Sequence, residues 1–399
     1  MKVTHFSTSL NGGAGKAVLR LHEGLLTEAI SSSVLSLNEY PATEGIHTYA
    51  SLLSNKDLFL SEQKNLLFKV QKFVNKSGIS IQSTYFSLAN TAYKNVPNLP
   101  IVKEADILHL HWISNFLDLK SFMKKTNQPI VWTLHDMNPF TAGHHYLPTA
   151  EELQQNKKTL DKLAQAKIAF FKNKSINYVY TSQYMGDLLK NSEFGQQFSS
   201  FHIPLGLDTS VFAPRDPNFC KSILGIPQDK KVVLMVGDDL KVERKGFAYI
   251  KDCIPHLTYP KKEVVFCVLG NCNLSAFPKD FPIQHLGFFK DELLMSMVYS
   301  CADVFVTTAT QEAFGQTTIE ALCCGKPVIG FPVGVIPEAI ESGKNGLICH
   351  AYNAASVANA ITEALTKEWD NQSIRANAVK KYSLEVQAKA YAQLYKKII

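Results

Sequence analysis

The stretch Glu312-Ala-Phe-Gly-Gln-Thr-Thr-Ile-Glu320 places two carboxylates, with seven residues between them, around a glycine where a helix is expected to begin. The apolar run 302–309 precedes it and is typical of a buried strand. Free N–H groups and the helix dipole favour an anion at such a helix start. Carboxylates cannot hold that anion, but they accept hydrogen bonds from hydroxyls beside it. The stretch therefore predicts a nucleotide sugar, with its phosphates between ribose and hexose.

Composition predicts a soluble globular protein of two domains. The chain has 399 residues, 46% of them apolar and 19% charged, and no uninterrupted apolar run of 18 residues. The first residues, 1–6, read as a strand and not as a secretory signal. All eight cysteines follow residue 219 without a Cys-x-x-Cys pair, so buried free thiols in a reducing cytoplasm are expected.

The charge balance argues against a nucleic-acid partner. The net charge is +6, only four arginines occur, and no cluster of basic and aromatic residues stands out. A mildly basic face toward anionic lipid stays open, so the chain could contact the inner face of a membrane peripherally.

Short apolar runs alternate with helical stretches along the chain, as in parallel α/β sheets. This pattern predicts two doubly wound Rossmann-like domains, 1–205 and 206–380, which face each other across a cleft, and a C-terminal helix, 381–399, which packs back on the first domain. The expected strands are 3–7, 107–112, 130–135, 178–182, 201–205, 232–237, 264–270, 283–288, 304–309, 328–331 and 346–349. Helices are expected at 16–30, 151–174, 246–257, 291–300, 316–324, 334–342, 354–366 and 384–399, and residues 50–100 read as a polar, helical-leaning insert.

Glycines follow the first strand in the segment 11–15, where they would let a phosphate or sugar approach the backbone closely. This signal is weak alone, because strand–helix turns often need glycine for packing. An ATPase phosphate loop is disfavoured, since such a loop needs Ser or Thr after its lysine and Ala17 follows Lys16 here.

Histidines gather where strands of the first half end. His135 and Asp136 end one strand and could bond a sugar hydroxyl or move a proton, although a structural imidazole is the alternative. His111 is expected nearer the strand end than His109 and is a candidate acceptor-binding residue with Asp136. A zinc site built from these histidines with the pair 144–145 is less favoured, because no carboxylate or thiolate spacing supports it.

Arg244, Lys245 and Gly246 follow the predicted strand 232–237, and two cations beside a glycine at a helix start suit a diphosphate. An exposed charged turn is the alternative. No Asp-x-Asp motif occurs, so no metal is expected to hold the diphosphate. Cationic side chains and the helix dipole would replace the metal.

Taken together, these motifs resemble the retaining glycosyltransferases of family 4, which have the two-domain GT-B fold. The resemblance spans most of the chain and is strongest over 231–350. It rests on the motifs Arg244-Lys-Gly-Phe247, Leu286-Gly-Phe288, Glu312 with Glu320, Gly325-Lys-Pro-Val328 and Asn345-Gly-Leu347. The run Val131-Trp-Thr-Leu-His-Asp-Met137 resembles that of bacterial colanic-acid and capsular polysaccharide enzymes.

The resemblance implies roles for individual residues. Glu320 would bind the donor ribose, Glu312 the transferred sugar, and Arg244 and Lys245 the diphosphate. His135 would line the reaction centre. The remaining donor-binding residues would be Gly13, Gly237, Gly315, Gln316 and Thr317.

Two departures from the family pattern bear on phosphate binding. Asp238 stands where the family usually has an arginine, so Arg244 would take over its role, and Val335 replaces a glycine expected after Gly334. The sequence thus predicts transfer from a nucleotide sugar, a UDP-sugar in particular, to a saccharide or lipid-linked saccharide in polysaccharide synthesis. The alternatives are a nucleotide-sugar epimerase of the same fold and a binding-only relative.

Overall fold

The computed structural model describes residues 1–74 and 79–399, with the side chains of 69–74 and 276 left out. The chain forms two compact domains. The first domain contains Met1–Thr181, Met185–Pro204 and Gln387–Ile399. The second domain contains Ser182–Tyr184 and Leu205–Val386.

The first domain is built on a parallel sheet of seven strands in the order β3-β2-β1-β4-β5-β6-β7. Its strands are β1 Lys2–Ser7, β2 Ser31–Ser36, β3 Ile46–Thr48, β4 Ile107–Leu110, β5 Ile130–Leu134, β6 Ile176–Tyr180 and β7 Ser199–His202. Its helices are α1 Gly12–Thr27, α2 Asn55–Val74, α3 Pro100–Lys103, α4 Leu119–Lys125, α5 Ala150–Phe171 and α6 Gln183–Lys190. The order reverses between β1 and β4, and ligands of open α/β sheets bind beside such a reversal.

The second domain repeats this design with six parallel strands in the order β10-β9-β8-β11-β12-β13. The strands are β8 Lys231–Asp239, β9 Val264–Asn271, β10 Ile283–Gly287, β11 Val304–Thr307, β12 Val328–Gly330 and β13 Gly346–Ile348. The helices are α7 Pro217–Ile223, α8 Phe247–Cys253, α9 Glu292–Ser300, α10 Gln316–Cys323, α11 Ile336–Ala339, α12 Ala354–Thr366 and α13 Asn371–Tyr382. Here the order reverses between β8 and β11.

The last helix, α14 Leu384–Ile398, returns to the core of the first domain. Its residues Tyr391, Leu394 and Tyr395 are buried with Val3 and Ile107 of the first sheet. Tyr391 also hydrogen-bonds Thr133 on β5, over 2.6 Å between their hydroxyl oxygens. The helix spacing of apolar residues near the C-terminus therefore marks a core element of the first domain.

The predicted α/β architecture is confirmed, and the main differences lie in the first domain. Strands β2 and β3 have no counterpart among the predicted strands, because β2 is rich in serine and β3 has only 3 residues, so neither carries a clear apolar signal. The helical insert is confirmed over α2, while residues 75–78 of that prediction lie outside the described residues. The strand predicted at 201–205 ends at His202, two residues before Pro204, which cannot donate to a sheet ladder.

The eight cysteines are free thiols, as predicted, and seven of them are buried. Burial raises the pKa of the Cys267 thiol to about 12, so this group is uncharged and behaves as a small apolar side chain. Among the described residues, no helix combines the length and the apolar character needed to cross a bilayer.

Candidate functional site

The predicted donor residues of the second domain follow the carboxyl ends of β8 and β11, the two strands at which the sheet order reverses. Gly237 lies within β8, the loop 244–246 comes after it, and Glu312 and Gly315 come after β11. Parallel strands end at the same edge of a sheet, so the topology alone brings these segments together.

The loop that carries Arg244 and Lys245 is held by hydrogen bonds to the residues that follow β11. The Thr308 hydroxyl donates to the Gly246 carbonyl over 2.8 Å, and the Thr310 amide donates to the Arg244 carbonyl over 2.8 Å. Gly246 has φ +66°, and a Cβ there would lie 1.8 Å from the Thr308 carbonyl oxygen. Only glycine allows the backbone at 246 to come this close to Thr308, and this close contact places the two cations beside Glu312.

Glu312 is the anionic partner of both cations. Lys245 Nζ forms a close ion pair with Glu312 Oε1, and Arg244 lies 3.6 Å from the same oxygen. Burial raises the pKa of this carboxyl, but the charges of Lys245 and Arg244 outweigh that effect and leave the pKa lowered. Glu312 is therefore ionised at neutral pH, and the three groups form one charge cluster.

The start of α10 offers backbone N–H groups beside this cluster. Gly315 has φ +92° and is the N-cap residue of the helix, where glycine has no side chain of its own to accept from the first N–H groups. Gln316 and Thr317 occupy the first turn and are half-buried. A helix start with a glycine N-cap beside two cations is suited to binding a diphosphate.

Glu320 lies one turn further along α10 and is buried. The Tyr299 hydroxyl donates to Glu320 Oε2 over 2.8 Å and fixes the orientation of the carboxylate. Tyr299 belongs to α9 and was not predicted as a site residue, because nothing in its spacing relates it to Glu320. Burial, followed by the neighbouring Tyr352 and Glu312, raises the pKa of the Tyr184 phenol, a residue that sequence reasoning did not consider.

The two remaining glycines of the predicted donor site differ in their surroundings. Gly237 lies against Gly270 of β9, where a Cβ on Gly270 would come within 1.7 Å of the Gly237 carbonyl oxygen. Gly13 is exposed in the first turn of α1 in the first domain. Asp238, the residue that departs from the family pattern, is exposed.

In the first domain, three histidines form a chain of ring-to-ring contacts, which we call the histidine chain. His5 Nδ1 lies 3.0 Å from His111 Nε2, and His111 Nδ1 lies 3.0 Å from His135 Nε2. His5 and His111 are buried, whereas His135 is half-buried. Sequence reasoning missed His5 because only the pairing of β1 with β4 brings it to His111.

Asp136 is the centre of a second polar network. Its Oδ2 accepts from His145 Nδ1 at 2.5 Å and from Trp112 Nε1 at 2.8 Å. Its Oδ1 accepts from the backbone N–H of Asn138 at 2.8 Å. His145 Nε2 lies 2.9 Å from the Ser87 hydroxyl. Both carboxylate oxygens thus have protein partners, and acceptor binding by Asp136 and His111 stays a prediction.

A metal site was considered for the histidines at 109, 111, 144 and 145. Within the described part of the chain, the grouping with metal-ligand proximity is His5, His109 and His111, whose ligand nitrogens lie within 4.8 Å of one another. However, His109 Nδ1 bonds the Tyr395 hydroxyl at 2.6 Å and His109 Nε2 bonds Thr133 at 2.7 Å. Both ring nitrogens of His109 therefore have hydroxyl partners, and these histidines form a hydrogen-bonded cluster.

Comparison with known proteins finds a family match within the second domain. Residues 218–381 match the family model of group 1 glycosyl transferases. This segment contains the charge cluster and all of α10. The chain is also 25% identical over 211 residues to D-inositol 3-phosphate glycosyltransferase 2 of Catenulispora acidiphila, which covers 49% of each protein. The chain spans about half the length of the curated relatives it matches.

Solved structures match over both domains. Sucrose-phosphate synthase from Thermosynechococcus elongatus has a TM-score of 0.68 at 18% identity and covers 100% of this chain and 99% of its own. HepE of Anabaena in complex with UDP-glucose has a TM-score of 0.67 at 15% identity and covers 100% of both chains. These similarities confirm the predicted GT-B class of fold, with two Rossmann-like α/β domains.

Proposed function

We propose that the protein is a retaining glycosyltransferase that moves a sugar from a nucleotide diphosphate sugar to a hydroxyl group. The observation that carries this proposal is the convergence of Arg244 and Lys245 on Glu312 beside the start of α10, where the N-cap residue is Gly315. Cations and free N–H groups suit a diphosphate, and carboxylates suit the hydroxyls beside it. A UDP-sugar donor is further supported by the similar structure that contains UDP-glucose.

In the proposed reaction, the bond between sugar C1 and the diphosphate oxygen breaks while the acceptor oxygen bonds C1 on the same face. The acceptor proton passes to the departing diphosphate, so no protein nucleophile is required. Negative charge grows on the leaving group, and Arg244, Lys245 and the N–H groups of α10 would stabilise it. This arrangement supplies the cationic charge from side chains, and we propose that transfer proceeds without a metal.

The ion pairs suggest how Glu312 takes part. Without a donor, this carboxylate neutralises the cations that a diphosphate would need. A bound diphosphate would compete for Arg244 and Lys245 and leave Glu312 to accept a hydrogen bond from the transferred sugar. Glu320, held by Tyr299, would bind the ribose. Gly13 and His135 of the first domain are proposed to contact the same donor.

The acceptor is proposed to be a saccharide or a lipid-linked saccharide of a polysaccharide pathway, bound by a cytoplasmic enzyme with peripheral membrane contact. The support is the resemblance of the 131–137 run to colanic-acid and capsular enzymes. The acceptor pocket would belong to the first domain, with His111 and Asp136 as its candidate residues.

The test is product analysis by mass spectrometry with a panel of UDP- and GDP-sugars, with and without a pool of saccharide and lipid-linked acceptors. Transfer from a UDP-sugar only when an acceptor is present is expected. Conversion of donor alone into an altered nucleotide sugar would favour the epimerase, and binding without any conversion would favour the binding-only alternative.

A matched pair of variants tests the site. Glu312→Gln should abolish transfer, yet UDP should bind at least as tightly in calorimetry because a competing carboxylate is gone. Glu243→Gln removes an exposed carboxylate from the neighbouring turn and should leave both properties unchanged. Full transfer activity in Glu312→Gln would refute the site assignment.

A further inference from the structure

The histidine chain has two ends with different surroundings. Its inner end is His5 Nε2, which is buried and has no hydrogen-bond partner among the described residues. Its outer end is the half-buried ring of His135, whose Nε2 is taken by His111. The chain therefore links a buried position on β1 to a ring nitrogen, His135 Nδ1, at the strand ends where the reaction centre is predicted.

All three rings are neutral at neutral pH. Burial lowers the pKa of His5 to about 3 and that of His135 to about 4, and burial followed by the neighbouring histidines lowers the pKa of His111 well below its usual range. A neutral imidazole carries a proton on one nitrogen and a lone pair on the other. Two ring-to-ring hydrogen bonds in series then allow only two proton arrangements.

The two arrangements differ at both ends of the chain. In the outward arrangement, His5 Nδ1–H donates to His111 and His111 Nδ1–H donates to His135, which leaves a lone pair on His5 Nε2 and a proton on His135 Nδ1. In the inward arrangement, every bond is reversed. A buried N–H then stands on His5 Nε2, and His135 Nδ1 is a lone pair that could act as a base.

The surroundings of the buried His5 Nε2 favour one of the two proton arrangements. An unpartnered N–H group is among the rarest features of protein interiors, whereas acceptors are left unsatisfied somewhat more often. The inward arrangement would place such an N–H on His5 Nε2, where the described residues supply no acceptor. The outward arrangement avoids this group and keeps both ring-to-ring bonds.

We propose that His5 and His111 are positioning residues that fix the tautomer of His135, so that His135 Nδ1 carries a proton and donates a hydrogen bond to an oxygen of the bound substrate. That oxygen belongs to a hydroxyl or a phosphate, and this second part rests on the proposed function. His135 is then an electrophilic donor and not the base that accepts the acceptor proton, which agrees with proton transfer to the departing diphosphate.

The direct test is ¹⁵N NMR of the whole protein labelled at histidine, without substrate, because protonated and unprotonated ring nitrogens have different chemical shifts. His135 is expected to show a protonated Nδ1 and an unprotonated Nε2. The opposite pattern would overturn the proposal. This spectrum decides the tautomer whether or not the protein transfers a sugar, so its failure is distinct from failure of the proposed function.

Variants at His5 then test whether the interior end controls the tautomer. His5→Asn places an amide donor near the Nδ1 position and should keep the His135 pattern and the activity. His5→Asp offers only acceptors there, so it should invert the pattern and lower transfer by about 10²-fold, the effect of losing one preorganised donor. The control is His256→Asn, because His256 is exposed and lies in the second domain, away from the histidine chain.

The outcomes separate a positioning role from a merely structural one. A structural role predicts equal tautomer patterns in all three variants, and that result would refute control by His5. If His5→Asp does not fold, the wild-type and His5→Asn spectra still test the assigned tautomer, since an unprotonated His135 Nδ1 in either of them would overturn the proposal.

Discussion

Replacing Gly246 by alanine tests whether the backbone approach at the loop 244–246 positions the two cations. An alanine at φ +66° costs about 1–2 kcal/mol, because the left-handed region crowds its Cβ. The new Cβ would also lie 1.8 Å from the Thr308 carbonyl oxygen. The loop must then move by about 1.2 Å to reach 3.0 Å, and overpacking of this kind costs about 1–3 kcal/mol.

Gly225→Ala is the matched control. Gly225 lies in the same domain at φ +65°, but the nearest atom to its added Cβ is Gln284 Nε2 at 3.9 Å. Gly225→Ala therefore has the energetic cost of an alanine at positive φ, but its Cβ does not clash with a neighbouring atom. For a domain of this size, the midpoint of thermal unfolding in calorimetry should fall about 2–12 °C further in Gly246→Ala than in Gly225→Ala.

The functional readout separates the two variants more sharply. A displacement near 1 Å can cost about 10²-fold in rate, so transfer should fall by about that factor in Gly246→Ala and stay near wild type in Gly225→Ala. UDP affinity, measured by calorimetry, should weaken only in Gly246→Ala. Equal unfolding midpoints and equal affinities in the two variants would refute the positioning role of the Thr308 contact.

Three further predictions concern the same domain. Tyr299→Phe removes the hydroxyl that holds Glu320, so UDP should bind about tenfold or more weakly in calorimetry, and unchanged affinity would argue against ribose binding by Glu320. Prolonged treatment with EDTA should leave transfer unchanged, and restoration of lost activity by Mg²⁺ or Mn²⁺ would contradict metal independence. The lowered pKa of Glu312 means that its ion pairs stabilise the fold above the ordinary glutamate pKa of about 4.3 and cease to do so as the pH falls through the lowered value. The stability lost in Glu312→Gln, measured by urea unfolding, should therefore be constant near neutral pH and vanish in acid, and a loss that persists in acid would contradict this sign.

The meeting of the residues in the charge cluster could be predicted because they lie in short motifs directly after strands. Arg244, Lys245 and Glu312 meet since β8 and β11 are neighbours, and two apolar runs followed by charged, glycine-containing turns already indicate such a meeting. The partner of Glu320, in contrast, could not be predicted from the sequence. Tyr299 holds Glu320 from the preceding helix, and no periodicity signals that contact.

The polar networks of the first domain were harder to predict, because they join residues that are far apart in the sequence. His5 and His111 are 106 residues apart and meet only because β1 pairs with β4. Ser87 and His145 are 58 residues apart and meet through an irregular segment without apolar alternation. Buried polar networks follow from the final packing, and a pattern based on hydrophobic spacing contains little information about them.

The return of α14 to the first domain has a consequence for the order in which the protein matures on the ribosome. Domains usually fold as units while the chain emerges, beginning with the N-terminal one. Here Val3 belongs to a core that is completed only by Tyr391 and Tyr395. The N-terminal domain must therefore wait until Tyr391 and Tyr395 have been translated, whereas Leu205–Val386 can acquire its native packing before that point.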